Sequence, residues 1–394
     1  MVQLSVISSV LLLVASGAVA HPSTATMSPA ELQRRAEFQT FASRSLSGCQ
    51  DSLRRRGHYE RSAARRKALA DELRRQRGLS TRAPYKRSLD SVLGTSHLSN
   101  QTGLEAESDP FDGAGSCTLV PEATQGPYWV DGEYVRKDIH EDQAGLYTYV
   151  DLELIDYTTC ETVAADIFVD IWHCNATGVY SGVVASGNGD SDVGENLNAT
   201  FLRGIQPTTE GGYVQFETIF PGHYTGRTPH IHVLAHGDGT AFDNGTFKTS
   251  SDRHVGKLSA FFPGFRFFRK IKIKIGQVYF DQDLITAVEE TSPYNSNTQS
   301  FTTNAQDGIL GQAAEDIDPV LEYVYLGDDI TDGLLAWGSM GIDLSASYVV
   351  QSAATLTENG GVANGGFSGG GPGGSPPGGT APGAATTLVC TVVS

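Results

Sequence analysis

Four side chains define the chemistry this sequence can support: Tyr180, Tyr224, His230 and His232. His230 and His232 flank Ile231, and on a strand residues i and i+2 share a face, so their imidazoles can converge on one ion. Two tyrosines nearby decide which ion. A phenol has an unperturbed pKa of about 10 and becomes a ligand only where a strongly Lewis-acidic cation holds it deprotonated. Fe(III) is the natural candidate, because zinc more usually draws Cys, His and carboxylate, and an oxygen-activating ferrous site takes two His and one carboxylate. A zinc hydrolase built on the same His pair lacks a third ligand and a carboxylate base.

The four residues sit in longer runs. Asp170-Ile171-Trp172-His173 leads to Gly178-Val179-Tyr180-Ser181-Gly182, and Phe216-Glu217-Thr218-Ile219-Phe220-Pro221-Gly222-His223-Tyr224 is followed by Arg227-Thr228-Pro229-His230-Ile231-His232. Upstream lie Gly126-Pro127-Tyr128 and Arg136-Lys137-Asp138-Ile139. In these motifs, between Cys117 and Leu344, the chain resembles the intradiol ring-cleaving dioxygenases, in particular the secreted fungal branch similar to the protocatechuate and catechol enzymes. The resemblance implies a β-sandwich, Fe(III) held by Tyr180, Tyr224, His230 and His232, a catechol-type substrate with dioxygen, and ring cleavage between the two hydroxylated carbons to a muconate-type product. It also implies that substrate displaces Tyr224, and that Gln277 lies near the ring. Arg227, always charged, would stabilise anionic character developing on the substrate. The family often forms dimers, so the resemblance is compatible with a homodimer. The gap between Tyr224 and His230 is shorter than the loop that better-known bacterial enzymes can place there, which bears on pocket shape. His173 and His223 match no ligand of the family and are expected either to be structural or to support the ligands from behind. A reading from another class is a secreted β-sandwich that binds aromatic or polysaccharide surfaces without turnover. Four donors plus Arg227 favour the enzyme.

These residues need strands to position them. Tyr149 to Asp156, Ala165 to Trp172, Gly212 to Ile219, His230 to Ala235 and Gln277 to Phe280 all read as strands, several of them with period-2 alternation, separated by Gly, Asn and Asp turns. The expected fold is an all-β sandwich over 101–350, preceded by a basic helical segment over 21–100 and followed by a disordered Gly/Pro/Ser-rich tail over 351–394. Residues 21–100 hold 16 Lys/Arg against 7 Asp/Glu, whereas the whole chain carries −17. The core is therefore acidic, which argues against a nucleic-acid partner. The Arg54-Arg55-Arg56 and Arg65-Arg66-Lys67 clusters are expected on a solvated helix face. Lys86-Arg87 reads equally as the processing site of a pro-region and as surface charge.

An apolar run, Val10 to Ala15, ends in Ala18-Val19-Ala20 before His21, the pattern of a secretory signal over 1–20. It is too short to span a bilayer, so a soluble exported protein with no membrane partner is expected. Sequons at Asn100, Asn175, Asn198 and Asn244 suit that compartment. Of the five cysteines, Cys160 and Cys174 flank a hairpin or crossover and are the expected disulfide pair. Lys257 to Gly276 is basic and aromatic in an acidic surrounding, and its end codons can carry splice signals. Removing those 20 codons in frame would join His254-Val255-Gly256 to Gln277, so the segment reads as a retained intron. Present in the protein, it should loop out beside the site and carry Gln277 with it.

Overall fold

The computed structural model describes residues 48–79, 128–164, 167–184, 194–237, 239–249, 274–314, 319–342, 344 and 352–364. The secretory signal, Lys86-Arg87, Asn100, Cys117, Cys390, Lys257 to Ile273 and the chain from 365 onward lie outside these residues. No helix among the described residues is long and apolar enough to cross a membrane.

Strands β4 (Phe168–Trp172), β5 (Arg203–Pro207), β7 (His230–His236) and β10 (Lys274–Tyr279) form an antiparallel sheet in the order β10-β7-β4-β5. A second sheet orders β11 (Glu322–Tyr325), β12 (Leu334–Ile342), β2 (Tyr147–Asp156) and β3 (Glu161–Thr162), with β6 (Tyr213–Ile219) also paired to β2. This sheet is mixed, because β12 runs parallel to β2. Val169, Ile171, Ile231, Val233 and Val278 of the first sheet share one core with Val150, Leu152, Phe216, Leu334 and Met340 of the second. Removing those aliphatic faces from water is what holds the sheets together. The expected sandwich core is therefore present, and its alternation has a consequence for chemistry. With Ile231 and Val233 turned into the core, His230 and His232 point out of the other side of β7.

The polar side of β2 does not meet water. Helix α1 (His58–Gln76) lies across it, and Asp151 and Glu153 are buried there. Arg65 Nη2 donates to Asp151 Oδ1 at 2.7 Å and its Nη1 to Glu153 Oε1 at 3.2 Å. Arg66 Nε donates to Asp151 Oδ1 at 3.1 Å, Ser62 Oγ to Glu153 Oε1 at 2.7 Å, and His58 Nε2 lies 3.1 Å from Glu153 Oε2. The expectation of a solvated basic face is thus corrected for Arg65 and Arg66, whose charges neutralise buried carboxylates. Arg54, Arg55 and Arg56 do remain exposed.

The disulfide expectation is also corrected. Cys160 bonds Cys49, with Cα atoms 5.1 Å apart, and so ties the helical segment to the β2–β3 turn. Cys174 instead sits buried beyond the end of β4, its Sγ donating to the Gly222 carbonyl at 3.2 Å, and burial pushes its thiol up to about 12. A non-reducing peptide map is expected to show a Cys49–Cys160 crosslink and a Cys174 that alkylates only after denaturation. Because the bridge spans 111 residues, Cys49→Ser should cost about 2–5 kcal/mol of stability. Calorimetry of the variant checks this.

Two further corrections concern segment boundaries. The tail does not begin at 351, since β13 (Ala354–Thr357) and β14 (Gly360–Ala363) form a hairpin that adds in parallel to β1 (Val130–Asp131). Gln277 is not carried away from the site. Lys274-Ile275-Gly276 already belong to β10, opposite Ala235, Leu234 and Val233, and Gln277 follows opposite His232. Strands β8 (Gly239–Ala241) and β9 (Phe247–Thr249) make a separate hairpin.

Candidate active site

Register assembles the site on the outward side of the first sheet. His232 stands opposite Gln277 on one side and Trp172 on the other, while His230 stands opposite Tyr279. Directly opposed residues share a face, so all five side chains gather there. Trp172 stacks on His232 with ring planes 2° apart and centroids at 4.8 Å, which fixes the imidazole plane.

Both tyrosines come from turns laid over that face. Asn196 Nδ2 donates to the carbonyls of Tyr180 and Val183 at 2.6 Å each, and Arg203 donates to the Ser181 carbonyl, Nη2 at 2.7 Å. Gly178, at φ 83°, lets this turn close against its neighbour: a Cβ there would stand 2.3 Å from the His223 carbonyl oxygen. Tyr224 opens a second turn, which the 297–302 loop fastens through Asn297 Nδ2 to the His223 carbonyl at 2.8 Å and Gln299 Oε1 to the Thr225 N–H at 3.2 Å. His223 bonds Glu289 and the Gln299 carbonyl, and His173 bonds Thr218 and the Cys174 carbonyl. Both rings are thus engaged in hydrogen bonds within the fold.

The four proposed donors converge. His230 Nε2 lies 3.2 Å from His232 Nε2 and 3.4 Å from Tyr224 Oη. The Tyr180 and Tyr224 rings meet edge to face at 5.6 Å, and the two phenols interact electrostatically. Metal–nitrogen bonds of about 2.1 Å place adjacent donors roughly 3.0 to 3.4 Å apart, and these separations fit the edges of a coordination polyhedron. His230 Nδ1 donates to the Thr228 carbonyl at 2.7 Å, which leaves the Nε2 lone pair turned to the cluster. Burial holds both phenols well above their ordinary pKa and His232 well below its own. Both phenols and His232 are therefore neutral by themselves, and the set fits a strongly charged cation that can take up phenolate. Among the described residues no group of three or more His, Cys, Asp or Glu is placed to hold an ion.

Arg227 and Gln277 flank the donors. Arg227 Nη2 donates to Gln277 Oε1 at 2.5 Å and to Tyr279 Oη at 3.0 Å, and its Nε donates to Asp307 Oδ2 at 2.8 Å. Burial alone would weaken the guanidinium charge, but Tyr279, Tyr224 and Asp307 more than offset it and hold Arg227 protonated. Gln277 Nε2 is buried with no hydrogen-bond partner among the described residues, an orphan donor next to His232 that an oxygen of a bound molecule would satisfy. A small cavity lined by Glu133, Arg136, Gly182, Leu197 and Arg203 borders the Tyr180 turn. None of the four donors lines it, so the chemistry belongs with the donor set.

Sequence reasoning missed Asp307, Tyr279 and the stacking of Trp172. Alternation could have placed Trp172 and Tyr279 on the histidine face. Asp307 lies 80 residues from Arg227, and its only local signal is that of a helix cap, Oδ1 accepting from Ile309 N and Leu310 N. Asp307→Asn keeps cap geometry and removes the counter-charge that orients Arg227. It is expected to lower kcat by about tenfold or more with a smaller change in KM, measured by steady-state kinetics.

No family model and no curated protein matches the chain. Among solved structures it is similar to an intradiol ring-cleavage dioxygenase from Tetranychus urticae, with 28% identity, TM-score 0.43 and coverage of 59% of this chain and 98% of that one. It is also similar to the dioxygenase domain of a dioxygenase carbohydrate-binding protein fusion from Streptomyces sp. SirexAA-E, at 17% identity and TM-score 0.34, covering 58% of this chain and 99% of that one. Catechol 1,2-dioxygenase from Acinetobacter sp. ADP1 matches at 16% identity and TM-score 0.33, covering 58% and 62% respectively.

Proposed function

We propose that this chain is an extracellular non-haem Fe(III) dioxygenase that cleaves catechol-type rings between the hydroxylated carbons. The observation that carries the reading is the convergence of Tyr224, His230 and His232 within 3.4 Å steps, with the Tyr180 ring packed edge to face on that of Tyr224 at 5.6 Å. Bound Fe(III) would supply the Lewis acidity that chelates a catecholate and draws electron density from its ring. The protein's own residues do the rest. Tyr180, pinned through its backbone by Asn196, stays as a fixed donor. Tyr224, carried on a turn, would help hold the ion, and its Oη is placed to take the proton of an incoming catechol hydroxyl. Arg227 presents a buried cation to oxygen-centred negative charge, which is worth most where water is excluded. Gln277 Nε2 donates to a substrate oxygen and fixes the ring's orientation. The Cys49–Cys160 bond supports an oxidising compartment. Oxygen uptake with a panel of simple catechols tests the reading. A muconate-type product is expected, whereas an iron-loaded protein that consumes no oxygen would be a binding module.

We further propose that Lys257 to Gly276 is dispensable. Without it, His254-Val255-Gly256 would take the places opposite Ala235, Leu234 and Val233, conserving glycine at the third position and the distance to Gln277. The shortened chain is expected to fold and bind metal like the full one. Transcripts that all encode the segment, together with a shortened chain that fails to fold, would contradict this.

A further inference from the structure

Three sequons fall among the described residues, and their surroundings differ. Asn175 is spent on structure: its Oδ1 accepts from Thr177 N at 3.1 Å and Val179 N at 3.0 Å, and its Nδ2 donates to Gln143 Oε1 at 3.1 Å. Asn198 Oδ1 accepts from Gly361 N at 3.0 Å, against the 354–363 hairpin. Asn244 is exposed at the tip of the β8–β9 hairpin. There the Gly245 N–H donates to the Phe242 carbonyl at 2.9 Å and the Phe242 N–H to the Thr246 carbonyl at 2.8 Å. Gly245, at φ 83°, completes a tight turn with a glycine bulge.

The turn sorts its side chains. Since Ala241 pairs with Phe247, Phe242 and Thr246 are the next opposed pair and share a face. Thr246 Oγ1 donates to Asn244 Oδ1 at 2.7 Å, which draws the Asn244 amide to that same face. No hydrogen bond among the described residues occupies Asn244 Nδ2. Phe242, 48% exposed, therefore lies on the face to which the amide is drawn, with its ring open to solvent.

We propose that Asn244 is an N-glycosylation site and that Phe242 is the platform on which the first sugar rests. The donor is an oligosaccharide linked through diphosphate to a lipid. Asn244 Nδ2 forms a bond to C1 of the reducing-end N-acetylhexosamine, the C1–O bond to the diphosphate breaks, and Nδ2 loses one proton. No electrons change hands. The apolar C–H face of that sugar then packs on the Phe242 ring, removing an exposed aromatic from water. The proposal rests on the export half of the reading above.

The full-length chain is expressed in a secreting yeast behind its own leader and, in parallel, with a host leader replacing residues 1–20. Secreted protein is treated with peptide N-glycosidase in heavy-oxygen water and mapped by mass spectrometry. The expected result is Asn244 occupied and Asn175 unoccupied, with Asn244→Gln losing the mass of one glycan. If only the host-leader form leaves the cell, carrying the glycan, the site stands and the export reading falls. If secreted protein is unmodified at Asn244, the site is overturned. Enzymatic removal of the glycan should lower Tm by about 2 °C in the parent, from the lost ring contact, and by less in Phe242→Ala. Equal shifts in the two would overturn the role of Phe242.

Discussion

Tyr180→Phe and His230→Ala are each expected to abolish iron binding and turnover together, by at least about 100-fold, since loss of even an outer partner of a ligand costs 10- to 100-fold. Tyr180→Phe is the sharper test. The ring is fully buried and held between Tyr128, at 4.6 Å between centroids, and Tyr224. Phe preserves that packing, so the fold should persist with nearly the parent's Tm while one donor oxygen disappears. His230→Ala removes the nitrogen whose tautomer Thr228 fixes, and also opens a cavity. Metal analysis and oxygen uptake on both variants check the expectation. Iron at the parent's level in Tyr180→Phe would remove that residue from the donor set.

Arg66→Ala should produce the largest loss of stability, about 3–5 kcal/mol, because it strands carboxylates that the helix buries. Arg66 Nε bonds Asp151 at 3.1 Å, Nη2 lies 3.6 Å from Glu153, and both carboxylates are sealed from solvent. The same cluster sets an acid limit. Burial by itself pushes the Glu153 carboxyl up, but the His58 hydrogen bond and the Arg66 and Arg65 charges outweigh it and hold it far below the usual carboxylate range. A folded pKa below the unfolded value of about 4.3 contributes stability that is present above that value and is lost as pH falls through the folded one. The parent should therefore melt progressively earlier below about pH 4. Arg66→Ala, already deprived of much of that linkage, should show a shallower decline. Thermal melts of both proteins at neutral and acidic pH decide it, and parallel curves would contradict the role given to the cluster.

The convergence of Tyr180, Tyr224, His230 and His232 was legible because two signals coincide in them. A His pair at strand spacing fixes a shared face, and two tyrosines in glycine turns lie close by in the sequence. The strands of the core were legible for a similar reason, since Val150, Leu152 and Leu154 alternate with Asp151 and Glu153 within one short window. That alternation told which side of β2 is polar but not that the polar side is covered, because its partner is a helix 85 and more residues upstream. Arginines matched to buried carboxylates look, in one dimension, like arginines matched to water. Asp307 and the Cys49–Cys160 pairing were illegible for the same reason: each depends on a contact across the fold with no local periodicity to announce it. The hairpin at 354–363 was hidden by composition, glycine-rich sequence being compatible with both a tight turn and a loose tail.

The central claim is that two tyrosines and two histidines hold one Fe(III). It is tested most directly by metal analysis and visible absorption of the purified full-length protein. One iron per chain is predicted, with a tyrosinate-to-ferric charge-transfer band that is lost in Tyr180→Phe. Stoichiometric zinc, or iron without a visible band, would contradict it.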